Sequence, residues 1–152
     1  MSETKRKGKD LLDHLSESGK LEYGTVIMAE EVRLVLGIEL PDTASKRTFD
    51  SLSLLELAGV DYVRNVLLGQ GKYLGQENGN YRILLPSENA DQVRKYMGSA
   101  DNKLRRALKL WDNTPAIDDE SPTERSNISA RILLKRHGIK NRSVLGKDDE
   151  DT

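Results

Sequence analysis

Cysteine is absent from this 152-residue sequence, and only two histidines, one Trp and one Phe occur. Without cysteine the chain can form no disulfide, no thiol nucleophile and no Cys-ligated zinc site, and two histidines cannot complete a structural zinc site. The absence of disulfides suits a reducing compartment. His14 and His137 fall on separate predicted helices and are not expected to cooperate in catalysis. We therefore predict a protein with no enzymatic activity, no cofactor and no bound metal.

Long apolar segments are also missing. No run of roughly 18 apolar residues occurs, so no transmembrane span is predicted. The first nine residues, MSETKRKGK, lack the apolar stretch of a signal peptide. Both features predict a cytoplasmic protein that does not enter a membrane.

Charged residues are abundant and unevenly distributed. They make up 32% of the chain against 36% hydrophobic residues, so a core must come from aliphatic side chains on amphipathic helices. The net charge is −1, yet residues 60–111 carry nine basic and five acidic side chains. This local excess indicates a basic patch in the middle of an otherwise acidic chain.

Apolar residues recur at helical spacing through much of the sequence. A short helix carries Leu11, Leu12 and Leu15 and ends at Gly19, and a short strand is predicted at 23–27. Further helices are predicted at 29–36 and 44–69, the latter capped by Asp42 or Thr43. Gly59 either kinks the longer helix or divides it in two.

A β-hairpin is the clearest local prediction. Residues 72–76 and 80–85 flank Glu77-Asn78-Gly79, and Asn-Gly favours the positive φ angles of a tight hairpin turn. Tyr81, Ile83 and Leu85 alternate along the second strand, as expected when one face is buried. Pro86 then ends the strand.

A long helix over 87–111 follows, with Ser87 as its candidate cap. Its apolar positions form a heptad seam: Val93, Met97, Ala100, Leu104, Ala107 and Trp111. The seam packs on the protein's own body or joins two copies in a homodimer, and the sequence leaves both interpretations open.

The C-terminal part begins with a predicted linker at 113–121. Ser121-Pro-Thr-Glu124 is a capping box with Pro at the first helical position, so another helix is predicted over 122–138. Residues 1–8 and the charged tail 139–152 are expected to be disordered. The predicted fold class is mainly α with a small β-hairpin, followed by a long C-terminal helix.

The order helix, strand, helix, turn, helix and hairpin over residues 9–86 resembles the winged helix-turn-helix superfamily, particularly small proteins of bacteriophages and mobile elements. The stretches that carry the resemblance are MAEEVRLVLGI at 28–38 and YVRNVLLGQGKYL with NYRIL within 62–84. The resemblance implies a winged-helix-like α+β domain over 9–112, whose third helix enters the DNA major groove and whose hairpin is the wing. The third helix is longer than an ordinary recognition helix, and the turn before it exceeds about three to four residues.

Six side chains are predicted to contact double-stranded DNA on this basis: Lys46, Arg47, Arg64, Asn65, Lys72 and Arg82. The groove-facing end of the third helix is either its start or its end, and the resemblance does not choose between them. Arg64 and Asn65 avoid the inward positions, and Arg and Asn can read guanine and adenine through paired hydrogen bonds. Lys72 and Arg82 on the hairpin suit phosphate contacts.

Three functions are compatible with these features. The first is a non-enzymatic DNA-binding regulator of a phage or plasmid, dimeric through the 87–111 helix. The second is a phage-type modulator that binds a host protein through the same scaffold without nucleic acid, which the net negative charge and acidic tail favour. The third is a component of a larger particle.

Overall fold

This computed structural model describes residues 1–115 and 121–145 of the chain. The described residues form five helices and three short strands, joined by loops. In chain order they are α1 (Glu3–Glu17), β1 (Val26–Ile27), α2 (Ala29–Leu36), α3 (Lys46–Leu68), β2 (Leu74–Glu77), β3 (Asn80–Ile83), α4 (Pro86–Asn113) and α5 (Pro122–Leu145). They fall into two compact units, Met1–Asn89 and Ala90–Thr152. The predicted class, mainly α with a small β-hairpin and a long C-terminal helix, is confirmed, and β1 extends the hairpin to a three-stranded antiparallel sheet.

Helix α1 begins earlier than the sequence analysis predicts, and disorder over residues 1–8 is wrong from Glu3 onward. Ser2 is the N-cap, and its side chain accepts a hydrogen bond from the Lys5 N–H at 3.3 Å. Gly8 is buried against α3, where an added Cβ would come within 2.5 Å of the Tyr62 Cβ. The close helix contact that glycine permits explains why this polar segment is ordered.

Helix α3 is continuous, so Gly59 does not divide it. Its N-cap is Ser45, whose side chain accepts from the Thr48 N–H, so the prediction of a cap at Asp42 or Thr43 is wrong. Gly59 is buried where α2 crosses α3, and a Cβ there would approach the Leu36 Cδ2 to 2.6 Å. The glycine therefore serves close packing of the two helices rather than a break in α3.

The hairpin and its Asn78-Gly79 turn form as predicted, but the strands are shorter than 72–76 and 80–85 at their outer ends, and Leu85 lies beyond β3 and is exposed. Asn78 and Gly79 both adopt positive φ angles, 52° and 78°, which suit a type I′ turn. Strand β3 lies in the centre of an antiparallel sheet of order β1-β3-β2. The predicted strand at 23–27 is reduced to Val26–Ile27, which pairs with Arg82 and Tyr81 of β3.

One hydrophobic core joins α1, α2, α3 and the sheet. Its fully buried side chains come from all four parts, and Tyr81 adds an aromatic ring from β3. The Tyr81 hydroxyl donates to Glu56 Oε1 at 2.7 Å, and Arg33 Nε donates to Glu56 Oε2 at 3.0 Å. Glu56 thereby links the sheet, α3 and α2. The core residues are Leu11, Leu15, Ile27, Ala29, Val32, Leu36, Ile38, Val60, Val63, Leu67, Leu74, Tyr81 and Ile83.

The start of α4 differs from the predicted one. The helix begins at Pro86, and the Glu88 carboxylate accepts from the Leu85 N–H at 2.8 Å. Leu85 therefore occupies the cap position, with Pro in the first helical place and Glu in the third, and Ser87 is not the cap.

The second unit contains the rest of α4 together with α5. Ser121 caps α5 as predicted, accepting from the Glu124 N–H at 3.2 Å. The helix does not stop at Gly138 but runs to Leu145, so disorder is wrong for residues 139–145. Within the predicted linker, Asn113 still belongs to α4, while residues 116–120 and the end of the tail, 146–152, lie outside the described residues. Among the described helices, none has the length and apolarity needed to cross a membrane.

Candidate nucleic-acid interface

The first turn of α3 presents two cations to solvent. Lys46 and Arg47 follow the Ser45 cap directly and are exposed, and within residues 1–115 and 121–145 neither forms an ion pair. The first turn holds no acidic residue. Because the amino end of a helix carries a partial positive charge, cations there are unfavourable and anions are favourable. This end of α3 therefore concentrates positive potential.

Arg64 is engaged within the fold. Its Nε donates to the Leu74 carbonyl at 3.0 Å, its Nη1 lies 2.5 Å from Asp61 Oδ1, and its guanidinium stacks 5.6 Å from the centre of the Tyr73 ring. Only 20% of the side chain is exposed. These contacts tie α3 to β2 and neutralise the charge, so Arg64 is not retained among the DNA contacts proposed below. Asn65 remains exposed beside it.

Lys72 lies over an aromatic ring instead of projecting freely. Its Nζ is 5.4 Å from the centre of the Tyr23 ring, and the Tyr23 hydroxyl donates to the Gly71 carbonyl at 3.3 Å. The contact joins the segment before β1 to the segment before β2. The hairpin tip itself, Asn78-Gly79, carries no charge.

Arg82 is the most strongly neutralised of the six predicted residues. Its Nη1 and Nη2 form a bidentate pair with Glu88 at 2.8 and 2.7 Å, and its Nε lies 2.6 Å from Glu77 Oε2. Two carboxylates thus surround one guanidinium on the middle strand. Arg82 fastens the start of α4 to the sheet through three of its five N–H groups, and the two carboxylates offset its charge, so we do not retain it as a DNA contact.

The ion pair between Arg82 and Glu88 can be tested by measuring the pKa of the Glu88 carboxyl. The Arg82 guanidinium, with help from the Leu85 N–H, lowers the pKa of Glu88 from 4.5 to about 2. Because the folded-state pKa lies below the unfolded one, the pair stabilises the fold above about pH 4.5, and this contribution is lost as the pH falls toward about 2. We expect ¹³C NMR titration of the glutamate carboxyls to find Glu88 near pH 2. In Arg82→Gln the midpoint should move toward 4.5; an unchanged midpoint would refute the pairing.

Beyond its first turn, the exposed face of α3 carries leucines, acids and uncharged polar residues. Leu54, Leu57 and Leu68 are exposed large hydrophobic residues of this helix, and Asp61 lies at helical spacing between them. A basic recognition surface along the whole of α3 is therefore absent from the described structure, and the free cations are confined to its first turn.

The predicted seam of α4 is partly covered by α5. Met97 and Leu104 line a shallow cavity with Leu134 and Ile139 of α5. Trp111 donates from Nε1 to the Arg125 carbonyl at 3.2 Å, and the Arg125 guanidinium stacks 4.9 Å from the Trp111 ring centre.

The remaining seam residues differ in exposure. Val93 is 57% exposed, Ala107 is also exposed, and Ala100 is half-buried. Helix α4, which lies wholly within the described residues, has no fully buried side chain. Packing within the chain thus accounts for part of the seam, and a homodimer through it stays a prediction.

One charged cluster was missed by the sequence analysis. Glu31 of α2 lies 2.9 Å from His14 Nε2 and 2.5 Å from Lys20 Nζ. Lys20 first, and His14 second, lower the pKa of the Glu31 carboxyl. The cluster joins α1 to α2, so His14 has a partner within the fold. Among the described residues, no group of His, Asp and Glu side chains is arranged to hold a metal ion.

No protein-family model matches this chain, and no curated protein or solved structure is significantly similar to it.

Proposed function

We propose that the protein is a non-enzymatic DNA-binding protein on a winged-helix scaffold, with a regulatory role in a phage or plasmid and a cytoplasmic location. The element order α1-β1-α2-α3-β2-β3 and the sheet order β1-β3-β2 support the proposal, because they place a helix pair before an antiparallel hairpin. The observation that carries it is the pair Lys46 and Arg47, exposed and without ion-pair partners in the described chain, at the amino end of α3.

Double-stranded DNA is the partner that this end of α3 suits best. Helix termini with free N–H groups and nearby cations bind phosphate, and Arg also reads guanine edges in the major groove. The carboxyl half of the same helix is engaged with the sheet through Arg64. The start of α3 is therefore the groove-facing end in this proposal, with Asn65 outside the contact.

The test uses the full chain and a labelled duplex of mixed sequence, about 20 base pairs long, at about 50 to 200 mM salt. We expect Lys46→Gln/Arg47→Gln to weaken binding and to make the slope of log affinity against log salt less steep by about 1.8. Fluorescence anisotropy measures both. Lys5→Gln/Arg6→Gln is the matched control, because those cations are also exposed, adjacent and in the first turn of a helix.

The control variant should bind nearly as tightly as the wild type, although its net charge changes equally. Equal losses in the two variants would mean that only overall charge matters. A wild-type chain that does not bind duplex DNA at about 50 mM salt would reject the function itself.

A second candidate function is docking on a host protein through the same scaffold. The exposed leucines of α3 favour it, as does the charge of residues 1–89, which carry fourteen acidic and eleven basic side chains. Absence of DNA binding would favour this function if Leu54→Ser/Leu57→Ser loses a co-purifying host protein. Leu34→Ser, at a leucine 80% exposed on α2, should retain that protein.

A further inference from the structure

Helix α4 carries four cations that no described acidic side chain neutralises. Lys95, Lys103, Arg106 and Lys109 are exposed, and none has an ion-pair partner among residues 1–115 and 121–145. We call these four residues the basic stripe.

Other cations of the same helix are paired. Arg94 lies 2.7 Å from Asp91, and Arg105 lies 3.5 Å from Asp101. Asp101 also pairs with Arg136 of α5 at 2.9 Å. The acids of this part of α4 are thus directed to neighbouring arginines, and the basic stripe is left free.

The four free cations lie along one side of the helix. At about 100° per residue they fall within an arc of roughly 120°, and Lys95 and Lys109 are about 21 Å apart along the axis. Ser99 and Asn102 lie in the same arc and add uncharged hydrogen-bonding groups. A rod of positive charge of this length spans roughly twelve phosphate charges of duplex DNA.

We propose that the basic stripe binds the phosphate backbone of duplex nucleic acid, as a contact additional to the one proposed for the first turn of α3. The inference rests on the proposed function and adds to it a surface in the second unit. Its contacts are sequence-independent, because side chains that meet phosphates hold the protein on the duplex without reading bases.

An anionic membrane is a poorer partner for this helix. A helix bound at a membrane surface inserts the apolar face opposite its cations. In α4 that opposite face is the seam, where Met97, Leu104 and Trp111 contact α5. Leu110 is exposed within the arc of the basic stripe, but one leucine supplies too little apolar area for stable insertion.

The experiment measures duplex affinity of the full chain against salt. Each phosphate contact adds about −0.9 to the slope of log affinity against log salt, so Lys95→Gln/Lys103→Gln/Arg106→Gln/Lys109→Gln should make that slope less steep by about 3.6. When the salt concentration rises from about 50 to 200 mM, the wild type should therefore lose about 150-fold more affinity than this four-site variant. Circular dichroism checks that helix content is kept.

A pair of double variants separates the stripe from overall charge. Lys103→Gln/Arg106→Gln removes two free cations, and Arg94→Gln/Arg105→Gln removes two paired cations from the same helix. Both lower the net charge by the same amount. The first should reduce the slope by about 1.8, and the second should change it much less. Equal changes in the two variants would overturn the inference.

Failure of the inference and failure of the proposed function give different results. Suppose that the wild type binds duplex and that Lys46→Gln/Arg47→Gln binds more weakly. If the four-site variant of the basic stripe then binds as tightly as the wild type, the role of the stripe is rejected and the proposed function stands. If the wild type binds no duplex at all, both are rejected. Tighter binding to phosphatidylserine vesicles than to duplex, lost in the four-site variant, would overturn the inference in favour of a membrane.

Discussion

Leu36→Ala is expected to lower the free energy of unfolding by about 2–5 kcal/mol, whereas Leu34→Ala should change it by no more than about 0.5 kcal/mol. The two leucines lie two residues apart on α2, but Leu36 is 2% exposed and Leu34 is 80% exposed. Leu36 packs against Gly59 where α2 meets α3. Its truncation leaves a cavity where α2 packs closely on α3 at Gly59.

Urea unfolding followed by far-ultraviolet circular dichroism measures both variants. Domains of this kind are typically stable by about 5–15 kcal/mol, so the loss in Leu36→Ala removes a large share of the total. The slope of free energy against urea should stay the same in both. Similar midpoints for the two variants would show that the α2–α3 contact is not part of the folded core.

Glu56→Ala is expected to cost about 2–3 kcal/mol of unfolding free energy, although it removes a charged residue. Glu56 accepts from the Tyr81 hydroxyl and from Arg33, and its side chain is 15% exposed. Removal of the carboxylate leaves a buried hydroxyl without its acceptor and a half-buried guanidinium without its counter-charge. The same site explains why burial, together with the Glu56 carboxylate, raises the pKa of Tyr81 well above 10.0.

Glu30→Ala on the exposed side of α2 is the matched control, and it should stay within about 0.5 kcal/mol of the wild type. Glu56→Gln keeps the shape and one acceptor oxygen, so it should fall between the two. Chemical unfolding gives all three values. If Glu56→Ala is as stable as Glu30→Ala, the three-residue link between α2, α3 and β3 contributes nothing measurable.

The hairpin shows how much of the fold local chemistry can predict. Asn78 and Gly79 adopt the positive φ angles that Asn-Gly favours, and the alternation of Tyr81 and Ile83 with polar neighbours sets the buried face of β3. The strand pairing of β1 with β3 was not predictable in the same way. Val26 and Ile27 meet their partners more than fifty residues later in the chain, and a two-residue strand has no periodicity of its own.

The errors at helix ends have a shared cause. The polarity of residues 3–8 predicts disorder, yet Gly8 packs on Tyr62 and Ser2 caps the helix. Gly138 predicts the end of a helix, yet an exposed glycine inside α5 costs only about 1 kcal/mol relative to Ala. Neighbouring helices or continued hydrogen bonding outweigh such local preferences.

The candidate site was harder to predict than the fold. The residue types alone suggested Arg64, Lys72 and Arg82 as DNA contacts, and the structure gives each of them a partner within the protein. Lys46 and Arg47 belong to the same six residues and have no ion-pair partner among the residues that the structure describes. The sequence does not distinguish a basic side chain that has an acidic partner from one that has none, because the partner is determined by which residues the fold brings close.

The amino-acid sequence by itself determined the helical class, the hairpin and the absence of cysteine chemistry, since each depends on composition or on residues within a few positions of one another. Only the tertiary structure decided which cations are available. An ion pair forms when two side chains come within about 4 Å, and that distance depends on how helices and strands pack. Arg33 and Glu56 are twenty-three residues apart in the chain, so no local pattern connects them.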